Sequence, residues 1–136
     1  MNLIEAENAI VEEFSMYEEW LDKYEYLIEL GKSLQDYPES SKTDDKLIKG
    51  CQSRVWLDYR IENGKIVFNA DSDAIITKGI ISLLVGIYSG RTAQEILSSD
   101  FSVVEKIGLR ENLSPTRANG LVYMIAKIRE IANANV

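Results

Sequence analysis

One side chain in this sequence is equipped for nucleophilic chemistry. Cys51 is the only cysteine, and it lies in the stretch KLIKGCQSRVWLDY, Lys46 to Tyr59. Gly50 precedes it, the polar side chains of Gln52 and Ser53 follow, and Lys46, Lys49 and Arg54 flank it in a chain of formal net charge −7. A free thiol with a pKa of about 8.5 is only a few per cent thiolate at neutral pH. A reactive cysteine therefore needs nearby positive charge or a helix N-terminus. The surrounding residues have the composition of an exposed loop tip, with a glycine for backbone freedom. Free cysteines are also among the most often buried residues. Composition and spacing leave both readings open: a small inert hydrophobe, or a thiol around which the protein is built.

Little else in the chain offers chemistry. There is no histidine, which excludes Ser-His and Cys-His catalysis and any zinc site of mixed His and Cys ligands. Asp71 and Asp73 form a D-x-D and Asp44 and Asp45 an acidic pair, but lone carboxylate pairs are a weak metal signal. Asp71 reads better as a helix cap. No metal and no cofactor is assigned. Gly86, Gly90, Gly108 and Gly120 form no phosphate loop and read as close packing and helix ends. Tyr17, Trp20, Tyr24 and Tyr26 could suggest an aromatic binding box, yet their helical spacing favours core packing.

The acidic balance, with a pI near 4.7, works against binding a phosphate backbone or an anionic bilayer, since both need clustered Lys and Arg. Neither nucleic acid nor membrane is expected as a partner. The longest apolar run, Gly79 to Gly90, falls well short of the roughly 20 residues that span a bilayer. The N-terminus is acidic from Glu5 and lacks the basic start of a secretion signal, so the expected location is the cytosol. A single cysteine forms no internal disulfide.

The elements that must position the thiol follow from periodicity. The chain has 136 residues, 46% of them hydrophobic, which predicts one folded domain over 1–136. Apolar residues from Leu3 to Phe14 and from Tyr17 to Leu34 recur at helical spacing with an interruption near Ser15, predicting two helices or one continuous one. Asp36 to Asp45 has loop composition. Val55, Leu57, Tyr59 and Ile61, then Ile66, Phe68 and Ala70, alternate around Asn63-Gly64, predicting a hairpin over 53–70 with one apolar face to be covered by helices. Trp56 falls on the other face. A third strand near 46–50 would extend the sheet. Asp71 and Ser72 are expected to cap a central buried helix, Thr92 to Glu95 forms a capping box for a short helix ending near Ser98, and another short helix is predicted over Val103 to Ile107. Ser114-Pro115 starts the last helix. The predicted class is α+β, a small antiparallel sheet packed against helices.

Among these elements, GCQSRVW resembles the signature of the SufE family of sulfur-acceptor proteins, which work beside cysteine desulfurases in iron–sulfur cluster assembly. WLDKYEYLIELGKSL looks like that family's N-terminal helix, DSDAIITKGIISLLVGIYSG like its central helix with the D-S-D-A entry, and LSPTRANGLVYMI like its closing L-S/T-P-S/T-R stretch. The four blocks stand in the family's order and cover nearly the whole chain.

The resemblance implies a SufE/NifU-like fold in which Cys51 takes a sulfane sulfur from the persulfide of a pyridoxal-phosphate desulfurase, SufS-like or CsdA-like, and passes it to a SufBCD-like scaffold. It implies that Cys51 lies on a loop tip sheltered when free and extended when docked, with Gly50 as a hinge and Gln52 and Ser53 beside it. Lys49 and Arg54 would stabilise the thiolate. Arg117, the arginine of the closing motif, would lie near that loop at the partner-facing surface. Asp73 would hold the loop region, or else supply helix-entry charge. Arg54 departs from the glutamine of several relatives and leaves open whether the partner is that of SufE or of its sister family CsdE. NifU-type scaffolds bind clusters with several cysteines, which one cysteine cannot do. Two other readings stand beside the sulfur carrier: a binding module that stimulates a desulfurase allosterically with Cys51 as a passive contact, and a redox sensor, which lacks a resolving cysteine.

Overall fold

The computed structural model describes residues 1–136. Two helices, α1 (Leu3–Ser15) and α2 (Trp20–Lys32), precede a hairpin of β1 (Val55–Glu62) and β2 (Lys65–Ser72). Then come α3 (Ile75–Tyr88), α4 (Ala93–Ser98), α5 (Val103–Lys106) and α6 (Pro115–Ala134). The break after Ser15 makes α1 and α2 separate helices. Local chemistry sets several of the other boundaries. Asn2 and Glu5 close a capping box on α1, Thr92 and Glu95 close one on α4, and the Ser114 side chain accepts from the Arg117 N–H with Pro115 in the first turn of α6.

The hairpin pairs Val55 with Ser72 through to Glu62 with Lys65, leaving Asn63-Gly64 as a two-residue turn. Both turn residues have positive φ, 52° and 77°, as a type I′ connection requires. Ile66, Phe68 and Ala70 are buried, as are Val55 and Leu57. Tyr59 and Ile61, on the same face, remain 37% and 49% exposed. The apolar face is thus covered along β2 but only at the start of β1. The outer edge of β2 is sealed where Ile66 exchanges backbone bonds with Gly90 and Arg91.

The opposite face is not bare either. Trp56 is only 7% exposed, with the Lys42 ammonium 5.1 Å from its ring centroid and Leu47 bridging to its backbone. The expected third strand near 46–50 reduces to that one bridge and the Ile48 N–H to Val55 carbonyl bond of 2.8 Å. Residues 44–46 form a 3-10 turn, and the chain leaves the edge of the sheet at Gly50, whose φ of 93° cannot continue a strand.

Asp71 and Ser72 do not cap α3. They extend β2, and α3 begins after Ala74 without a side-chain cap. The reason is competition for the carboxylate: Asp71 binds Lys42 at 3.2 Å and Lys78 at 3.3 Å. Burial pushes its pKa up, but the Ser72 N–H and the two lysines outweigh that and hold it below the usual range.

At the centre, α3 is buried along most of its length and packs on α2 and β2. The α2–α3 crossing is made by two glycines: a Cβ on Gly79 would lie 2.3 Å from the Leu27 carbonyl oxygen, and one on Gly31 would lie 3.1 Å from the Gly79 nitrogen. The aromatic residues of α2 pack on one another and on α1. Tyr26 lies edge-on to Phe14 at 5.2 Å, Trp20 lies 5.7 Å from Tyr24, and the Tyr24 hydroxyl donates to the Asn112 carbonyl. No helix is long and apolar enough to cross a membrane.

Candidate functional site

The Cys51 loop is fastened firmly at its two ends and lightly between them. Ile48 is tied to Val55 on one side. On the other, the Arg54 N–H donates to the Asp73 carboxylate at 3.0 Å, and the Arg54 carbonyl accepts from the Asp73 N–H at 3.2 Å and the Ser72 hydroxyl at 2.8 Å. Residues 49–53 make no backbone-to-backbone hydrogen bond. Their contacts are side-on, to α6 and to the apolar core. The Cys51 thiol donates to the Gly120 carbonyl across 3.6 Å, a weak sulfur bond. The backbone of Gly50 lies against the ring of Tyr123.

Cys51 itself is half-buried. It opens on a cavity of about 340 Å³ lined by Gln52, Ser53, Thr77, Arg117 and Met124, among others. Burial is the sole cause acting on the thiol, and it pushes the pKa up. In this state burial outweighs the cations that stand near Cys51 in the sequence. Lys46 is turned away into an ion pair with Asp58 at 3.0 Å. The thiol is held protonated at neutral pH.

The structure brings Cys51, Gln52, Ser53 and Arg117 to one cavity. Arg117 is exposed on the first turns of α6, which places its guanidinium where it can meet solvent or another molecule. Gly50 is at the loop's turn with positive φ. Arg54 is exposed and outside the cavity lining, and it contributes through its backbone. The Asp73 carboxylate accepts from that backbone, and Asp73 also stands immediately before Ala74, the N-cap of α3. Asp71 and Asp73 spend their carboxylates on different partners, and no cluster of His, Cys, Asp or Glu could hold a metal ion.

The SufE family model, described as an Fe-S metabolism associated domain, matches residues 8–132. The chain belongs to the SufE family. An uncharacterised SufE-like protein from Rhizobium etli is 42% identical over 130 residues, covering 92% of this chain and 88% of that protein. The sulfur acceptor protein CsdE of Escherichia coli is 41% identical over 110 residues, covering 79% of this chain and 75% of its own. A hypothetical protein from Thermus thermophilus, solved in solution, has the same fold, with a TM-score of 0.79 over 96% of this chain and 95% of that one at 18% identity.

Within this SufE-family chain, sequence reasoning missed Thr77, Gly120, Tyr123 and Met124. Arg117, Gly120 and Met124 recur at helical spacing down one side of α6, a signal that was present. Nothing local marks that side as the seat of the cysteine loop.

Proposed function

We propose that this chain accepts a sulfane sulfur on Cys51 from the persulfide of a cysteine desulfurase, stimulating that enzyme, and delivers it to an iron–sulfur assembly scaffold of the SufBCD type. The observation that carries the reading is a lone thiol, sheltered but bordering an open cavity, on a loop with no internal backbone bonds. Membership of the SufE family and likeness to a sulfur acceptor protein support it.

The transfer is thiol exchange. The Cys51 thiolate attacks the terminal sulfur of the partner's persulfide, the partner's S–S bond breaks, and its cysteine departs as thiolate while the S–S bond on Cys51 forms. The transferred sulfur keeps its oxidation state, so no external oxidant or reductant is required. No histidine is required either. In the free chain burial holds the thiol protonated, which protects it from oxidation and from small thiols. Docking must then draw the loop out or bring positive charge to it. Arg117, in the same cavity, is the chain's own cation best placed to face the emerging thiolate.

The test is Cys51→Ser with a SufS-like or CsdA-like desulfurase and cysteine. Serine is nearly isosteric but carries no persulfide, so the fold should persist while sulfur acceptance and stimulation of turnover are lost. Full stimulation by the serine variant would favour a regulatory module that carries no sulfur.

A further inference from the structure

Tyr123 is the least explained side chain near the thiol. It is 47% exposed. Its ring contact is with Gly50. A Cβ at position 50 would fall 2.5 to 2.7 Å from three carbons of that ring, far inside the roughly 3.5 Å of carbon–carbon contact. Ring and glycine are therefore packed as closely as the missing side chain allows. Gly120, one turn before Tyr123 on α6, receives the Cys51 thiol. Both side-on fastenings of the loop thus fall on one face of one helix. Because residues 49–53 have no backbone bonds of their own, side-on contacts keep the loop inward: these two, and the packing of the half-buried Cys51 against the core. The thiol bond is weak at 3.6 Å, whereas the ring lies directly against the turn of the loop at Gly50.

We propose that Tyr123 is a positioning residue for Cys51: its ring, packed on Gly50, holds the thiol loop against α6 and sets how readily the thiol is reached. Removing the ring lets the loop populate outward positions in which the thiol is hydrated, and hydration returns its pKa toward the ordinary range. At neutral pH that enlarges the thiolate fraction. The bearing on sulfur transfer rests on the acceptor reading above, but the positioning role itself does not.

The experiment therefore uses a small alkylating reagent and no partner. Iodoacetamide labelling of Cys51 is followed across pH for the wild-type chain, Tyr123→Phe and Tyr123→Ala, with Tm recorded for each. Tyr123→Ala should label several-fold faster at neutral pH, with the midpoint of the rate profile moved to lower pH and Tm nearly unchanged. Tyr123→Phe, which keeps the ring, should match wild type. Gly50→Ala should accelerate labelling strongly in the wild-type background and much less when combined with Tyr123→Ala, because the clash is with the ring while the backbone strain is common to both. An unchanged rate and midpoint in Tyr123→Ala would overturn the proposal. So would acceleration that merely tracks a fall in Tm, a phenylalanine variant that behaves like alanine, or equal effects of Gly50→Ala in both backgrounds. Sulfur acceptance is read separately by mass, so failure here leaves that reading standing.

Discussion

Two close approaches in this molecule depend on glycine, and they serve different ends. At the α2–α3 crossing, Gly79 admits the backbone of Leu27, and both residues are buried. At the α6 face, Gly50 admits the ring of Tyr123, and both residues are exposed. In the first case the neighbour is a helix backbone that has nowhere to go. In the second it is a side chain beside solvent and a loop without internal bonds. The same steric device therefore locks the core in one place and leaves a releasable contact in the other. Stability should reside at Gly79 and thiol reactivity at Gly50.

The sharpest way to break this contrast is Gly79→Ala. A methyl 2.3 Å from a carbonyl oxygen forces α2 and α3 apart, with an expected loss of about 1–3 kcal/mol or more. Thermal unfolding followed by circular dichroism should show a Tm lower by several degrees, with the labelling rate of Cys51 in the folded chain little changed. A normal Tm would mean that the crossing is slack.

Asp73→Ala comes next. It removes the charged acceptor of the Arg54 N–H at the root of the loop, an exposed bond worth about 1 kcal/mol. Hydrogen exchange at residues 49–54 should quicken and alkylation of Cys51 should rise, with a small drop in Tm. Arg117→Ala should cost less still in stability, within about 0.5 kcal/mol, because the side chain is exposed. Sulfur acceptance from the desulfurase should nonetheless weaken. A large fall in Tm with normal transfer would make Arg117 a structural residue instead.

The smallest effects are in pH dependence, and they have opposite signs. The folded chain holds the Cys51 proton more tightly than the unfolded chain does. Its contribution to stability is present below the unfolded thiol's pKa and is lost as pH rises through the folded one. Asp71 is held below its ordinary range, so its contribution is present above the unfolded carboxylate pKa and is lost as pH falls through the folded one. Stability curves should lose part of their alkaline slope in Cys51→Ser, the rest being carried by tyrosines and lysines whose pKa is also raised, and part of their acid slope in Asp71→Asn. Unchanged slopes would show that these groups do not titrate with folding.

Much of the fold was legible because its signals are local. Asn63-Gly64 dictates the hairpin turn, Thr92 with Glu95 and Ser114 with Pro115 dictate helix starts, and the apolar run after Asp73 dictates a buried helix. Asp71 and Ser72 misled because a good cap residue is also a good ligand for lysines, and Lys42 and Lys78 reach Asp71 from outside its own element. The third strand misled because the apolar Leu47 and Ile48 supply one bridge before Gly50 turns the chain away. At the site, Cys51 and the polar residues after it were marked by composition, and Arg117 and Asp73 by resemblance. The charges around Cys51 left an activated thiol and an inert one both open, and the folded chain pairs Lys46 with Asp58 and half-buries the sulfur. Tyr123 was invisible because Gly50, which its ring lies against, is remote in sequence.

The central claim is that Cys51 carries sulfur. Intact-mass spectrometry of the wild-type chain after incubation with a desulfurase and cysteine, without reductant, measures it directly. A gain of one sulfur atom, localised to Cys51 and absent from Cys51→Ser, is the predicted result. Desulfurase turnover stimulated by a chain whose mass does not change would contradict the claim and leave Cys51 a contact residue.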